Sequence, residues 1–368
     1  MKFRGLRKSL PVFVAALAVF SACGKAKFAA ENHKSSAVAG QYVTIKPKID
    51  IIVFQDNSDS VMYGPINTLK PQMQNFVNSL SASWDFRFTV LPLLSQKSMT
   101  SKYVVSSDCT GITGILGCLN TSQVSTFNNS SGDYGWITSV NSAVGSQDKG
   151  FQNIYYNLQS SSMINSGFLR PDAALAVIVL SNGEDIDGMT YWDPDGDGTP
   201  ELNYNSGTST YNFYRSYFQN FKGTPSLMRF YSVVSPGGLC YGYGSYNGRR
   251  YRDMADDLGS RSYNLCGSEL NSALSDISSQ MVSITQAVVF NYVLLKDQPN
   301  PSTIQVKKNG QVLSASSSNG WEYVGYKTNQ NTSFFPTPGN AKTGYMIKLN
   351  GSAVIQGSDT IEVTYQKF

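Results

Sequence analysis

Three apolar runs set the fold: Ile51-Ile52-Val53-Phe54, Phe88-Thr89-Val90-Leu91 and Ala173-Ala174-Leu175-Ala176-Val177-Ile178-Val179-Leu180. Each is short and apolar at both odd and even positions. A strand with one wet face alternates apolar with polar residues, so runs like these must be covered on both sides. Segments with helical spacing lie between them. Met73, Phe76, Val77 and Leu80 form one such stripe, Phe151, Ile154, Tyr155 and Leu158 a second, and Leu270, Leu274, Ile277, Met281 and Ile284 a third. "YNFYRSYFQNF" and "RRYRDMADDLG" also read as helices, the latter ended by Gly259 as a C-cap. "KYVVSS" and "LMRFYSVVSP" read as further strands. Strand and helix alternate, which predicts an α/β fold: an open, doubly wound, mostly parallel sheet with helices on both faces. Ligands of such sheets lie beyond the carboxyl ends of the strands.

The pattern changes near residue 286. "TIQVKKNGQVL" reads as a hairpin turning at Asn309-Gly310. "WEYVGYK", "GYMIKLNG" and "DTIEVTYQKF" alternate apolar with polar residues between turn signals. A small all-β sandwich is expected over 286–368, following an α/β domain over 46–285.

The first twenty-two residues hold four of the 29 basic residues (Lys2, Arg4, Arg7, Lys8) and no acid. The remaining basic residues equal the 25 acidic ones, so the rest of the chain is neutral and offers no basic face for nucleic acid. A basic start, an apolar "LPVFVAALAVF" and small residues before Cys23 resemble a bacterial lipoprotein signal over 1–22, although Phe20 stands where Leu is usual. That resemblance implies a lipid on Cys23, a tether over 23–45, and contact with the membrane through the lipid alone. Gly24 is similar to the outer-membrane sorting signal, which implies an outer-membrane lipoprotein, periplasmic or surface-exposed. The other reading is a plain secretory signal with an incidental cysteine. Four cysteines remain, and an even count in an exported chain suggests disulfides. The simplest of the three connectivities closes the local loops, Cys109–Cys118 and Cys240–Cys266. His33, the sole histidine, lies in the tether. Histidine-dependent nucleophilic units and histidine zinc sites are thereby excluded from the folded part.

At the end of the first strand stands Asp56-Asn57-Ser58-Asp59-Ser60. Alternate residues of an extended turn point the same way. One carboxylate and two hydroxyls would then converge on a hard cation, Mg²⁺ or Ca²⁺. The D-x-S-x-S pattern, the strand order, and the phrases "GFLRPDAALAVIVLS" and "RFYSVVSP…C…RRYRDMADDLG…C" resemble bacterial lipoproteins with a von Willebrand factor type A domain and a metal-ion-dependent adhesion site. The resemblance spans about residues 46 to 285. It implies two further ligand loops. Ser146, at a helix start, stands in the second, where an N-cap is the alternative reading. Ser181-Asn182-Gly183 forms the third, with Asn182 in place of the expected Asp. The amide carries no charge, so tight binding would need help from Glu184 or Asp185.

"WDPDGDGTPEL" places Asp193, Asp195 and Asp197 at alternate positions, with Glu201 beyond. It is similar to the first half of an EF-hand loop, but the terminal Glu position falls at Tyr204. A structural Ca²⁺ site is expected, against the alternative of a solvated acidic turn. The insertion 189–211 should rise over the binding face. It makes Tyr191, Trp192 and Tyr204, with Tyr241 and Tyr243 from the next loop, candidate contacts. Tyr211 and Tyr214 belong to the same aromatic group. The functional expectation is a non-enzymatic adhesion module that engages an extracellular or envelope protein or glycan through the cation. A metal-independent envelope scaffold and a carboxylate-based glycoside hydrolase are the alternatives.

Overall fold

The computed structural model describes residues 47–58, 60–94, 99–131, 133–139, 149–192, 201–223, 225–240, 243–245, 247–286, 289–330, 341–356 and 359–368. The expected signal over 1–22 and tether over 23–45, with Cys23, lie outside them.

Seven strands form the central sheet: β1 (Lys48–Gln55), β2 (Asp85–Pro92), β3 (Tyr103–Ser106), β4 (Gly117–Leu119), β5 (Ala174–Ser181), β6 (Met228–Val234) and β7 (Ser262–Asn264), in the order β7-β6-β5-β1-β2-β3-β4. All neighbours are parallel except β2 and β3. The expected open, mostly parallel sheet is therefore present. β4 and β7, of three residues each, extend it at both edges.

The strands are apolar on both faces because both faces are covered. The shorter helices are α1 (Tyr63–Leu69), α3 (Val124–Asn128) and α5 (Ser161–Asn165). Ile49, Ile51 and Val53 of β1 point to one side, where they join the stripes of α2 (Met73–Ser83) and α8 (Ala273–Gln286). Ile52 and Phe54 point to the other, against α4 (Gly150–Gln159), α6 (Thr208–Asn220) and α7 (Arg249–Asp257). Phe151 of α4 anchors this second layer. Its ring meets those of Tyr211, Tyr214, Phe218, Phe230 and Tyr251 at centroid distances of 5.2 to 6.0 Å for four of them and 6.1 Å for Phe218. Tyr211 and Tyr214 thus pack inward on this ring. Gly150 leaves no room for a Cβ against the Tyr251 hydroxyl, so α4 and α7 meet closely there.

Small antiparallel sheets follow, as expected of a β-sandwich. β8 (Tyr292–Leu294), β12 (Lys342–Asn350) and β11 (Gly320–Gln330) form one, with β12 central. β10 (Gln311–Leu313), β9 (Gln305–Lys308) and β13 (Ile361–Thr364) form the other, with β9 central. Asn309 and Gly310 have φ of 51° and 79°, the left-handed pair that a two-residue hairpin requires. Val293, Val306, Ile347, Leu349, Ile361 and Val363 are fully buried. They belong to the same apolar cluster as the α2 and α8 stripes.

A charged pair sits at the edge of this hydrocarbon. Asp50 of β1 is fully buried. Its carboxylate accepts from the backbone N–H of Arg170 at 2.7 Å and from Arg170 Nε at 2.8 Å. The other guanidinium nitrogens reach Asp85 Oδ1 at 2.8 Å and the carbonyls of Ile49 and Asp85 at 3.0 and 2.9 Å. Burial works against the Arg170 charge, but Asp50 and Asp85 hold its pKa above the ordinary value. The disulfide Cys109–Cys118, with a Cα–Cα distance of 5.8 Å, closes the loop between β3 and β4. Cys266 is disulfide-bonded as well, while the side chain of Cys240 lies outside the described ones. Among the described residues no helix is long and apolar enough to cross a membrane.

Removing one partner of a buried pair strands the other's charge. Arg170→Met should lose about 3–5 kcal/mol of unfolding free energy in urea titrations. The double variant Asp50→Leu/Arg170→Met should recover much of that loss. Lys48→Met breaks the part-exposed pair with Asp172 (2.7 Å) and should cost about 0–1 kcal/mol.

Candidate metal and ligand site

The carboxyl ends of β1 and β5 lie side by side. Asp56 extends their ladder by one bond, its N–H donating to Leu180 O at 2.8 Å. This brings Asp56 beside Ser181. Asp56 is 1% exposed, so its carboxylate needs polar partners, and it has three. Oδ1 accepts from the backbone N–H and the hydroxyl of Ser58, both at 2.8 Å. Oδ2 accepts from the Ser181 hydroxyl at 2.6 Å. Ser181 Oγ in turn accepts from Gly183 N at 2.9 Å, which fixes the turn that presents Asn182. Asn182 Oδ1 is buried and has no hydrogen-bond partner among the described residues. Asn57 supports the neighbouring loop by accepting from Leu94 N at 3.2 Å. Gln55 clamps the backbone of Ile137 through two bonds of 2.7 and 2.9 Å.

The fold thus brings together Asp56, Ser58 and the third-loop segment with Asn182. Ser60, itself exposed, opens the short turn Ser60–Met62 just beyond, whose Val61 and Met62 are buried. Ser146 lies outside the described residues. Ser181 belongs to this cluster, and sequence reasoning passed over it as the residue before Asn182. Its signal was available: a hydroxyl residue at the end of the strand that pairs with the one carrying Asp56.

Glu184 and Asp185 have other work. Glu184 is fully buried and accepts from the backbone N–H groups of Arg249 and Arg250 at 2.6 and 3.0 Å, which caps the first turn of α7. It also accepts from the Tyr204 hydroxyl at 3.0 Å. Asp185 accepts from Phe151 N at 3.0 Å in the first turn of α4, and it pairs with Arg250 at 2.9 Å. Both carboxylates are therefore committed to helix ends and to Arg250, so Asn182 gains no charge from them. Burial holds the Glu184 pKa above the ordinary carboxylate range, although four hydrogen bonds oppose it. Burial and the Glu184 charge also raise the Tyr204 pKa, so Tyr204 stays a donor.

Tyr204 is half-buried under this arrangement, with the Arg249 guanidinium 4.9 Å from its ring centre. Tyr191 and Trp192 lie in a strand, Thr190–Trp192, that pairs with Glu201–Asn203. Tyr243 lies in the strand Tyr243–Ser245. The side chains of Tyr191, Trp192, Glu201 and Tyr243 are outside the described ones, as are residues Asp193, Asp195, Asp197 and Tyr241. Within the insertion, Thr190–Trp192 and Glu201–Asn203 are thus antiparallel neighbours and residues 208–211 begin α6, while the aspartate-rich run lies outside the described residues.

No family model matches the chain, and no curated protein matches it. Among solved structures it is similar to a von Willebrand factor type A protein from Catenulispora acidiphila, with 10% identity, a TM-score of 0.34, and coverage of 90% of this chain and 61% of that one. The pilus adhesin SpaC from Lactobacillus rhamnosus GG gives 11%, 0.35, and 89% and 39%. The pilus adhesin RrgA from Streptococcus pneumoniae gives 7%, 0.32, and 89% and 57%. The chain spans less than two thirds of each of these structures. TM-scores of this size leave the fold to rest on strand order and register.

The raised Glu184 pKa has a defined consequence for stability. The folded state binds this proton more tightly than the unfolded chain does. Its contribution is therefore full below the ordinary value of 4.5 and is lost as pH rises through the folded value. Urea midpoints of the wild type should fall as pH is raised from 4.5 toward neutrality. In Glu184→Gln that part of the slope should vanish, and an unchanged slope would assign the effect elsewhere.

Proposed function

We propose that the chain is a non-enzymatic binding module of the cell envelope, which engages an extracellular protein or glycan through a divalent cation at Asp56, Ser58, Ser60 and Asn182. The observation that carries this reading is the buried, unpartnered Asn182 oxygen at the same sheet end as a carboxylate pinned by Ser58 and Ser181. A hydroxyl that donates its proton to Asp56 keeps its lone pairs for a cation. The donor set is all oxygen, which suits Mg²⁺ or Ca²⁺. Asp56 supplies the single carboxylate, so a bound cation keeps net positive charge and attracts an acidic group of a partner. Adhesion of this kind makes and breaks no covalent bond. Ser146 would add a hydroxyl from the second loop. The run Asp193, Asp195, Asp197 and Glu201 would hold a structural Ca²⁺ that stiffens the hairpin bearing Tyr191 and Trp192. A lipid on Cys23 would anchor the module in the outer membrane through the tether.

The commitment of Glu184 and Asp185 to helix ends favours a second reading. With one acid at the sheet edge, the fold could serve as an envelope scaffold without metal. Calorimetric titration with Mg²⁺, Ca²⁺ and Mn²⁺ separates the two. Binding heats are expected for the wild type and should vanish in Asp56→Asn and Ser58→Ala. Asn182→Asp adds a charge to the shell and should tighten binding about tenfold. Heats that are absent, or identical in all four proteins, favour the scaffold. Capture of an envelope ligand should be lost on adding chelator.

A further inference from the structure

A second site lies at the opposite, amino end of the parallel strands. α6 ends at Asn220, and Gly223, at φ 72°, turns the chain away toward β6. Lys222 lies between them and folds inward. It is only 8% exposed, and its ammonium donates to the carbonyl of Arg170 at 2.7 Å. Among the described residues it has no other hydrogen bond and no ion pair, so two of its three donors are unused. Asp50 and Asp172 act on it only at longer range. Arg170, its neighbour, is already engaged by Asp50, Asp85 and two carbonyls.

Lys222 lines a hollow of about 650 Å³, with Leu158, Ile164, Leu169 and Phe221 among its walls. A second hollow of about 570 Å³ shares Gln159 and Phe221 with it and continues along Phe213 and Tyr217. The two adjoin as a trough in the size range of small-ligand sites, apolar along Ile164, Leu169 and Phe221 and polar at Gln159, Ser216 and Asn220; Arg170 lines it too, but its guanidinium is engaged by Asp50 and Asp85, which leaves Lys222 as the less committed cation. Burial pulls the Lys222 ammonium below its ordinary pKa, although Asp50 and Asp172 oppose the shift from longer range. A dianion such as a phosphate monoester would find a single free cation here. A monoanion with a hydrocarbon body matches both the charge and the walls.

We propose that this trough binds an apolar monocarboxylate, its head on Lys222 and its body along Ile164, Leu169 and Phe221. A fatty acid and the apolar C-terminal residue of a peptide share this chemistry. Octanoate and N-acetyl-leucine serve as the two probes, titrated by calorimetry or by chemical-shift changes. Lys222→Met keeps the apolar stem and removes the charge. It should weaken binding about ten- to hundredfold, the usual loss for a charge-assisted hydrogen bond. Ile164 is 57% exposed, so Ile164→Asp should leave folding intact while placing a repelling charge at the mouth, with a comparable loss. Octan-1-ol and acetate, each with half of the chemistry, should bind at least tenfold more weakly than octanoate. Binding of either probe with this dependence supports the site and tells the two sources apart. Equal binding to the wild type and both variants, or no binding of either probe, overturns it and leaves Lys222 as a structural lysine. Neither result bears on the cation reading at Asp56.

Discussion

The ion pair between Asp50 and Arg170 is the constraint on which the sheet depends. A one-residue slip of β1 against β5 would move every side chain of β1 to the other face. Apolar residues at both parities tolerate such a slip, because Ile51 and Ile52 can trade places at little cost. Asp50 cannot move. On the wrong face its carboxylate would enter the α2 and α8 layer without Arg170, and a lone buried charge costs several kcal/mol. Arg170 also holds the carbonyls of Ile49 and Asp85, so one guanidinium joins β1, β2 and the loop entering β5. At the far end, the bonds from Asp56 to Leu180 and Ser181 confirm the same register. A run that is apolar throughout says little about pairing, and the two acids at its ends say the rest.

This arrangement explains what the sequence made legible. Both-face apolar runs and helical stripes announced a covered, mostly parallel sheet, and Asn309-Gly310 announced its hairpin. β4 and β7 escaped notice because "GCL" and "SYN" are three residues long and carry no periodicity; they are strands only because β3 and β6 present free edges to them. At the site, Asp56 and Ser58 were readable because their spacing is local. The fates of Glu184 and Asp185 were not. Acids after a core strand look like cation ligands, yet their partners, Arg249, Arg250 and Phe151, are 65, 66 and 34 residues away. Asp50 posed the same difficulty: a buried acid demands a cation, but nothing local selects Arg170 from 29 basic residues.

The commitments of the neighbouring acids give a physical reason for an amide at position 182. Glu184, Asp185 and Asp187 all lie buried within five residues of it. Two helix N-termini, Arg250 and Lys149 already balance them. A fourth carboxylate at 182 would join the loop that Ser181 ties to Asp56, with no basic group paired to it among the described residues. Asn182 keeps an oxygen there without that added charge. For the proposed cation, the consequence is a weaker hold than a carboxylate would give. The same logic runs in reverse at the amino end of the sheet, where Asp50 and Asp172 act on the buried Lys222 ammonium only at longer range. Among the described residues, Asn182 Oδ1 near one end of the strands lacks a hydrogen-bond partner and Lys222 at the other makes a single hydrogen bond, and the two proposed ligands belong at those positions.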